Sequence, residues 1–213
     1  MKFCVIGLGR FGYQVATVLA ENGMDVMAID DNENTIASIR DQVTHAICMR
    51  VADEESLRDI GVHEMDTVIV AMGEAFAQSI LLTALLKKKL GIERIIARGT
   101  NEIHKEILQL VGADQVILPE KEIGIRVADY LSSPFVDLMR LTKEFSISHI
   151  LAPADVVDRS IRDVGFFENY QIRCIGIRQG EEVIPVGHDY VIKAGDKLVC
   201  AGRNDELEKF AGR

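Results

Sequence analysis

Gly7, Gly9 and Gly12 form a G-x-G-x-x-G turn, completed by Leu8, Arg10 and Phe11, and an acid, Asp30, stands 18 residues beyond the last glycine. Those residue types at that spacing suit one task, the cradling of a phosphorylated adenosine. Gly7 permits a tight turn, Gly9 lets backbone amides approach phosphate oxygens, and Gly12 lets the next helix pack on its sheet. A helix that begins there presents unpaired N–H groups and a partial positive charge to an anion. Asp30 is placed to accept hydrogen bonds from ribose hydroxyls, and its charge disfavours the 2′-phosphate of NADP. Arg10 adds a cation inside the turn. The motif leaves the identity of the nucleotide open.

Nothing comparable points to bond-making chemistry. The chain has no G-x-S-x-G, H-E-x-x-H or Walker A sequence. A dehydrogenase needs a positioned proton donor or acceptor beside its substrate. The C-terminal part offers only His149 and His188, isolated histidines of the kind more often structural than catalytic. The expectation is binding without catalysis.

The glycine turn requires a strand before it and a helix after it, and the sequence supplies both. Phe3 to Ile6 is a short apolar run, and a helical pattern follows to about Asn22. Further runs at Val26 to Ile29, Ala46 to Met49, Thr67 to Ala71, Arg94 to Arg98 and Val116 to Leu118 alternate with helical stretches, among them a long amphipathic one ending at Leu90. Such alternation gives right-handed crossovers and a parallel sheet. Pro119 to Leu131 reads as a helix, punctuated by Ser132-Ser133-Pro134. Beyond it, Phe145 to Leu151, Gln171 to Arg178, Glu182 to Val186 and Lys197 to Ala201 read as strands, with one helix between Arg159 and Tyr170 and a turn at Gln179-Gly180. The expected fold is α/β: a Rossmann-like, doubly wound parallel sheet over residues 1–133, then a small α+β lobe over 134–213.

Composition narrows the partners. A net charge of −9 argues against general nucleic-acid binding and against attraction to an anionic membrane surface. No apolar run approaches the roughly 20 residues that span a bilayer, and the N-terminus runs straight into a strand pattern, leaving no room for a signal peptide. Cys4, Cys48, Cys174 and Cys200 lie singly in apolar stretches. That indicates free thiols used as small core residues in a reducing, intracellular compartment, with neither a zinc knuckle nor a redox dithiol.

Four stretches together resemble a known family: Val5 to Gly12, Ala28-Ile29-Asp30-Asp31-Asn32, Val68 to Gly73, and Gly112 to Glu120. They are similar to the regulatory subunits of Ktr/Trk potassium uptake systems, the RCK or TrkA-type proteins. Lys193 to Val199 is similar to the family's second lobe, RCK-C. The resemblance implies a cytoplasmic protein that binds ATP or ADP, or in some relatives NAD(H), and pairs into dimers that close an octameric ring. The ring would dock at the inner face of the membrane under a potassium-translocating subunit and gate it.

By position, the resemblance implies that Arg10 contacts phosphate and that Asp30 and Asn32, with Asp31 between them, hold the ribose. Ala52 and Asp53 would lie by the adenine, and Ala71, Met72 and Gly73 would line the cleft. Arg98 and His104 would approach the phosphates, and Glu120 would help hold a divalent cation such as Mg or Ca. One departure counts against a second-lobe site for cyclic di-AMP. Phe167 stands where the family would place an arginine, and a phenyl ring cannot make that residue's bidentate phosphate contact. Phe166 and Phe167 are expected instead to close the lobe's dimer core. The competing readings are an NAD-dependent oxidoreductase or NAD(H)-sensing regulator, and a transcriptional redox sensor, which would need a basic DNA-binding element that the sequence does not display.

Overall fold

Strand β1 (Lys2–Ile6) leads through the glycine turn into α1 (Arg10–Glu21), and the pattern repeats as β2 (Asp25–Asp30), α2 (Glu33–Ile39), β3 (His45–Cys48) and α3 (Glu54–Asp59). After a 3₁₀ turn come β4 (Thr67–Val70), α4 (Phe76–Lys88), β5 (Arg94–Arg98), α5 (Glu102–Val111), β6 (Gln115–Ile117) and α6 (Pro119–Ser132). The computed structural model describes residues 1–51, 53–73, 75–132 and 138–212. Ala52 and the junction expected at residues 133 and 134 therefore lie outside the described residues. The chain separates into two compact units, 1–123 and 124–213.

In the first unit the strands are parallel and ordered β3-β2-β1-β4-β5-β6. Chain order reverses beside β1, which pairs with β2 on one side and β4 on the other. The two-residue period of a strand sends successive side chains to opposite faces. Cys4, Ile6, Met27, Ile29, Val68 and Val70 pack with Leu82 and Leu86 of α4, whereas Val5, Val26, Ala28 and Ile69 pack with Ala16 of α1 and Ile39 of α2. All four residues of β4 are buried, as expected of a strand covered on both faces.

Helix α4 departs from the amphipathic expectation. It buries Leu82 and Leu86 but leaves Leu81 70% exposed, so apolar residues occur on more than one of its faces. The run Ile80 to Leu86 holds a single hydroxyl among aliphatic residues, which leaves no polar face to separate.

The second unit contains β7 (Leu138–Arg140), β8 (Phe145–Leu151), α7 (Ile161–Val164), α8 (Phe166–Tyr170), β9 (Ile172–Gln179), β10 (Glu182–Ile184), β11 (Lys197–Arg203) and α9 (Asn204–Ala211). Its antiparallel sheet is ordered β10-β9-β11-β8-β7. Its core holds Ile150, Ile172, Ile177, Leu198, Leu207 and Phe210. The single helix expected between Arg159 and Tyr170 is two short ones, because Gly165 adopts φ +59° and ends the first. Phe166 belongs to this lobe's own core, with its ring centroid 5.5 Å from that of Phe210, which corrects the reading of it as a dimer-closing residue. Phe167 is 45% exposed and lies under the Arg173 guanidinium.

Candidate nucleotide-binding site

Gly7 sits at φ +91°, a conformation that side chains resist, and turns the chain away from β1. A Cβ on Gly12 would lie 1.9 Å from the Gly7 carbonyl oxygen, so only glycine lets α1 start this close to the turn. The Gly7 amide donates to the Ile29 carbonyl at 2.9 Å and the Leu8 amide to Asp30 Oδ2 at 2.6 Å. Asp30 Oδ1 accepts from the Asn32 amide at 2.9 Å. The tip of β2 thus holds the turn after β1, with both carboxylate oxygens engaged.

The N-terminus of α1 is left open. Gly9 is its cap and contributes no side-chain hydrogen bond, and no acidic residue stands in the first turn. By contrast, Asn32, Asp53 and Asn101 cap α2, α3 and α5 with side-chain oxygens. Uncapped first-turn amides at a twelve-residue helix carry an uncompensated partial positive charge. Arg10 is exposed and has no hydrogen bond or ion pair among the described residues. Phe11 packs against the apolar face under α1.

Beside the turn lies a cavity of about 60 Å³ lined by Gly7, Asp30, Asp31, Arg50, Met72 and Gln78. A second, of about 540 Å³, shares Arg50 and Gln78 and is bordered by Asp53 and Leu81. Both are at the carboxyl ends of the strands, where ligands bind in open sheets whose order reverses. Arg50 and Gln78 escaped the reading of the sequence. The signal for them was positional, since one stands two residues after β3 and the other in the first turn of α4, where the Gln78 side-chain amide donates to the Val51 carbonyl.

A separate cluster forms around Gly73. A Cβ there would come 2.0 Å from Arg98 Nη1, so the guanidinium of β5 lies directly over this glycine. Arg98 Nη2 donates to Glu120 Oε1 at 2.5 Å, while the buried Nε has no partner. The backbone amide of Glu120 and the Arg98 guanidinium hold the Glu120 carboxyl below the usual carboxylate range. Ala71, buried at the end of β4, donates its amide to the Ile6 carbonyl.

Other expected site residues are occupied elsewhere. Asn32 Oδ1 accepts the Asn34 and Thr35 amides, and Asp53 accepts the Ser56 amide at 2.8 Å. The Ser56 bonds hold the Asp53 carboxyl below its ordinary value. His104, expected to approach the phosphates, is fully buried. Its Nδ1 accepts the Thr100 amide, which leaves the proton on Nε2 to donate to Ser79 Oγ at 2.9 Å. Both ring nitrogens are taken up inside the lobe, so neither remains for a phosphate. Burial lowers its pKa, in keeping with a neutral imidazole.

Among the described residues, no group of three His, Cys, Asp or Glu side chains gathers as a metal site, and no helix is long and apolar enough to cross a membrane. A cation at Glu120 would thus need oxygens from a bound ligand.

Comparison with known proteins identifies the two domains. Residues 3–119 match the TrkA-N domain and residues 148–212 the TrkA-C domain. The chain is 34% identical to Ktr system potassium uptake protein C of Bacillus subtilis (strain 168), covering 100% of this chain and 96% of that protein. Its fold resembles part of the GsuK channel bound to NAD, with TM-score 0.68 and 18% identity over 100% of this chain. It is also similar to GsuK bound to ADP, with TM-score 0.50 and 23% identity over 62% of this chain. The chain spans 39% and 34% of those two channel chains.

Proposed function

Because the chain belongs to the TrkA family of Ktr/Trk potassium-uptake proteins, we propose that it is the nucleotide-binding regulatory subunit of a potassium uptake system. In this reading residues 1–133 receive the nucleotide and residues 134–213 form the regulatory lobe. Dimers assemble into an octameric ring in the cytoplasm, held at the inner face of the membrane by a potassium-translocating partner. The chain itself performs no catalysis.

The observation that carries the reading is the open N-terminus of α1 facing the Leu8–Asp30 bond. The first-turn amides and Arg10 would receive phosphate, and Asp30 would exchange a backbone partner for ribose hydroxyls. Arg98 would meet the phosphates from the far side of the turn, and Glu120 would share a divalent cation with them. Asn32 and Asp53 act on this account through the helix ends they cap. Exchange of ATP for ADP alters the charge facing Arg10. It can gate the partner only through unequal affinity for two shapes of the ring. Tenfold gating requires about 1.4 kcal/mol of such coupling.

A second reading, sensing of NAD(H), is favoured by the likeness in fold to the GsuK channel bound to NAD. Calorimetric titration of the full-length protein with ATP, ADP, NAD and NADH separates the two. Tighter binding of ATP and ADP, without appreciable hydrolysis, supports the first. A response to NADH alone replaces it with the second, and no response to any of the four removes both. Cyclic di-AMP is not assigned to the second lobe, because Phe167 stands where the resemblance would place an arginine; the nearby cation, Arg173, lies over the Phe167 ring.

A further inference from the structure

Cys174 on β9 and Cys200 on β11 are opposite partners in an antiparallel ladder. Cβ atoms so related are about 4.5–5.5 Å apart, close to the reach of a disulfide. The register shifts between Val199 and Cys200, where Ile175 is the extra residue of a β-bulge. A bulge disrupts the ladder locally, so it gives the pair room to adjust. The surroundings of the two thiols differ. Cys200 is fully buried in the lobe's core, whereas Cys174 is partly exposed and lines a cavity of about 600 Å³ together with Phe167, Arg173 and His188.

We propose that Cys174 and Cys200 are an oxidation site, in which a small hydroperoxide enters that cavity and the two thiols close into a reversible cross-strand disulfide. The Cys174 sulfur attacks one peroxide oxygen, an S–O bond forms as the O–O bond breaks, and the other oxygen leaves as water or an alcohol after taking up a proton. The Cys200 sulfur then attacks the Cys174 sulfenic acid. An S–S bond replaces the S–O bond, and the hydroxyl leaves as water with the Cys200 proton. The two thiols lose two electrons and the peroxide gains two.

The roles follow from the local chemistry. The hydrogen bond from Cys200 holds the Cys174 thiol below the usual cysteine range, and the same contact together with burial pushes Cys200 up. The sulfur that lines the cavity is the one a peroxide can reach, and its buried neighbour supplies the resolving thiol. Cys4, fully buried and pushed up by burial alone, has neither access nor a partner thiol. Isolated spacing in the sequence hid this dithiol, because the strand pairing that creates it is not local. The site does not depend on nucleotide binding.

The test uses the full-length protein, with hydrogen peroxide raised until exposed Cys48 is fully oxidised, then trypsin digestion without reductant and mass spectrometry. The expected product joins the peptides Cys174–Arg178 and Leu198–Arg203, with a mass lower by about two hydrogens than their sum, and dithiothreitol parts them. In Cys200→Ser, Cys174 should accumulate as a dimedone-trapped sulfenic acid, while in Cys174→Ser, Cys200 should stay unreacted. Recovery of both wild-type peptides as free thiols overturns the proposal. So does a link from either cysteine to another chain, or undiminished oxidation of Cys200 in Cys174→Ser.

Discussion

The Leu8 amide donates to the Asp30 carboxylate at 2.6 Å, across two neighbouring parallel strands. That single bond couples the geometry of the phosphate turn to the residue expected to hold the ribose. Shape at one end of an adenosine ligand is therefore tied to shape at the other.

Replacing Asp30 separates these two contributions. Asp30→Ala removes the acceptor for both the Leu8 and Asn32 amides and should cost about 1–3 kcal/mol of stability, read as a lower urea midpoint. Asp30→Asn keeps one acceptor oxygen and should cost less than half as much. Either change should weaken ATP binding roughly tenfold or more by calorimetry, since a charged ribose acceptor is lost. Unchanged affinity in a folded Asp30→Asn protein would remove Asp30 from the ligand site.

The seat of Arg98 on Gly73 allows a coupled test. A methyl group at Gly73 would occupy the place of Nη1, 2.0 Å away, and must displace the guanidinium. If Arg98 serves the phosphates from that seat, Gly73→Ala and Arg98→Ala should each weaken ATP binding by roughly ten- to a hundredfold, the scale of one charge-assisted bond. The double variant should lose no more than either single one, because both remove one interaction. Additive losses in calorimetry would show that the two residues act separately.

The parallel sheet was readable because each buried strand is a short apolar run and each run is followed by helical spacing. The turn that frames the candidate site was readable at Gly7, Gly9, Gly12 and Asp30 for the same reason, since turn, helix start and acid are local in sequence. The expectation of His104 at the phosphates missed its burial, which arises from packing of α4 on α5, where Ser79 and Phe76 enclose the ring. Helix α9 was missed although Leu207 and Phe210 sit three residues apart, because the stretch between them is mostly charged. Strand β7, of three residues, carries too little pattern to be seen.

His104 sets a pH dependence. Burial lowers its pKa in the folded protein relative to the unfolded chain. The unfolded state then binds more protons as the pH falls, so the contribution of neutral His104 is complete above the unfolded value, about 6.5. It declines below that pH until the folded value has been passed. Urea midpoints measured between about pH 5 and 8 should fall toward acid in the wild type. In His104→Gln the portion of that fall starting near 6.5 should vanish, and an unaltered profile would exclude His104 as its source.

The glycine turn itself gives the sharpest contrast between folding and binding. A Cβ on Gly12 would meet the Gly7 carbonyl oxygen at 1.9 Å, whereas one on Gly9 would meet nothing within 4 Å. Gly9 has φ −60°, which alanine adopts without strain, so Gly9→Ala should leave the thermal midpoint unchanged or slightly raised through a less flexible unfolded chain. Gly12→Ala should cost at least about 1–3 kcal/mol, because backbone must move to admit the methyl group. Binding should follow a different order. If phosphate lies against the start of α1, the Gly9 methyl projects into the space the ligand needs, and ATP affinity should drop by at least about tenfold in a protein of undiminished stability. A Gly9→Ala protein that melts and binds ATP like the wild type would show that the phosphates do not approach this turn.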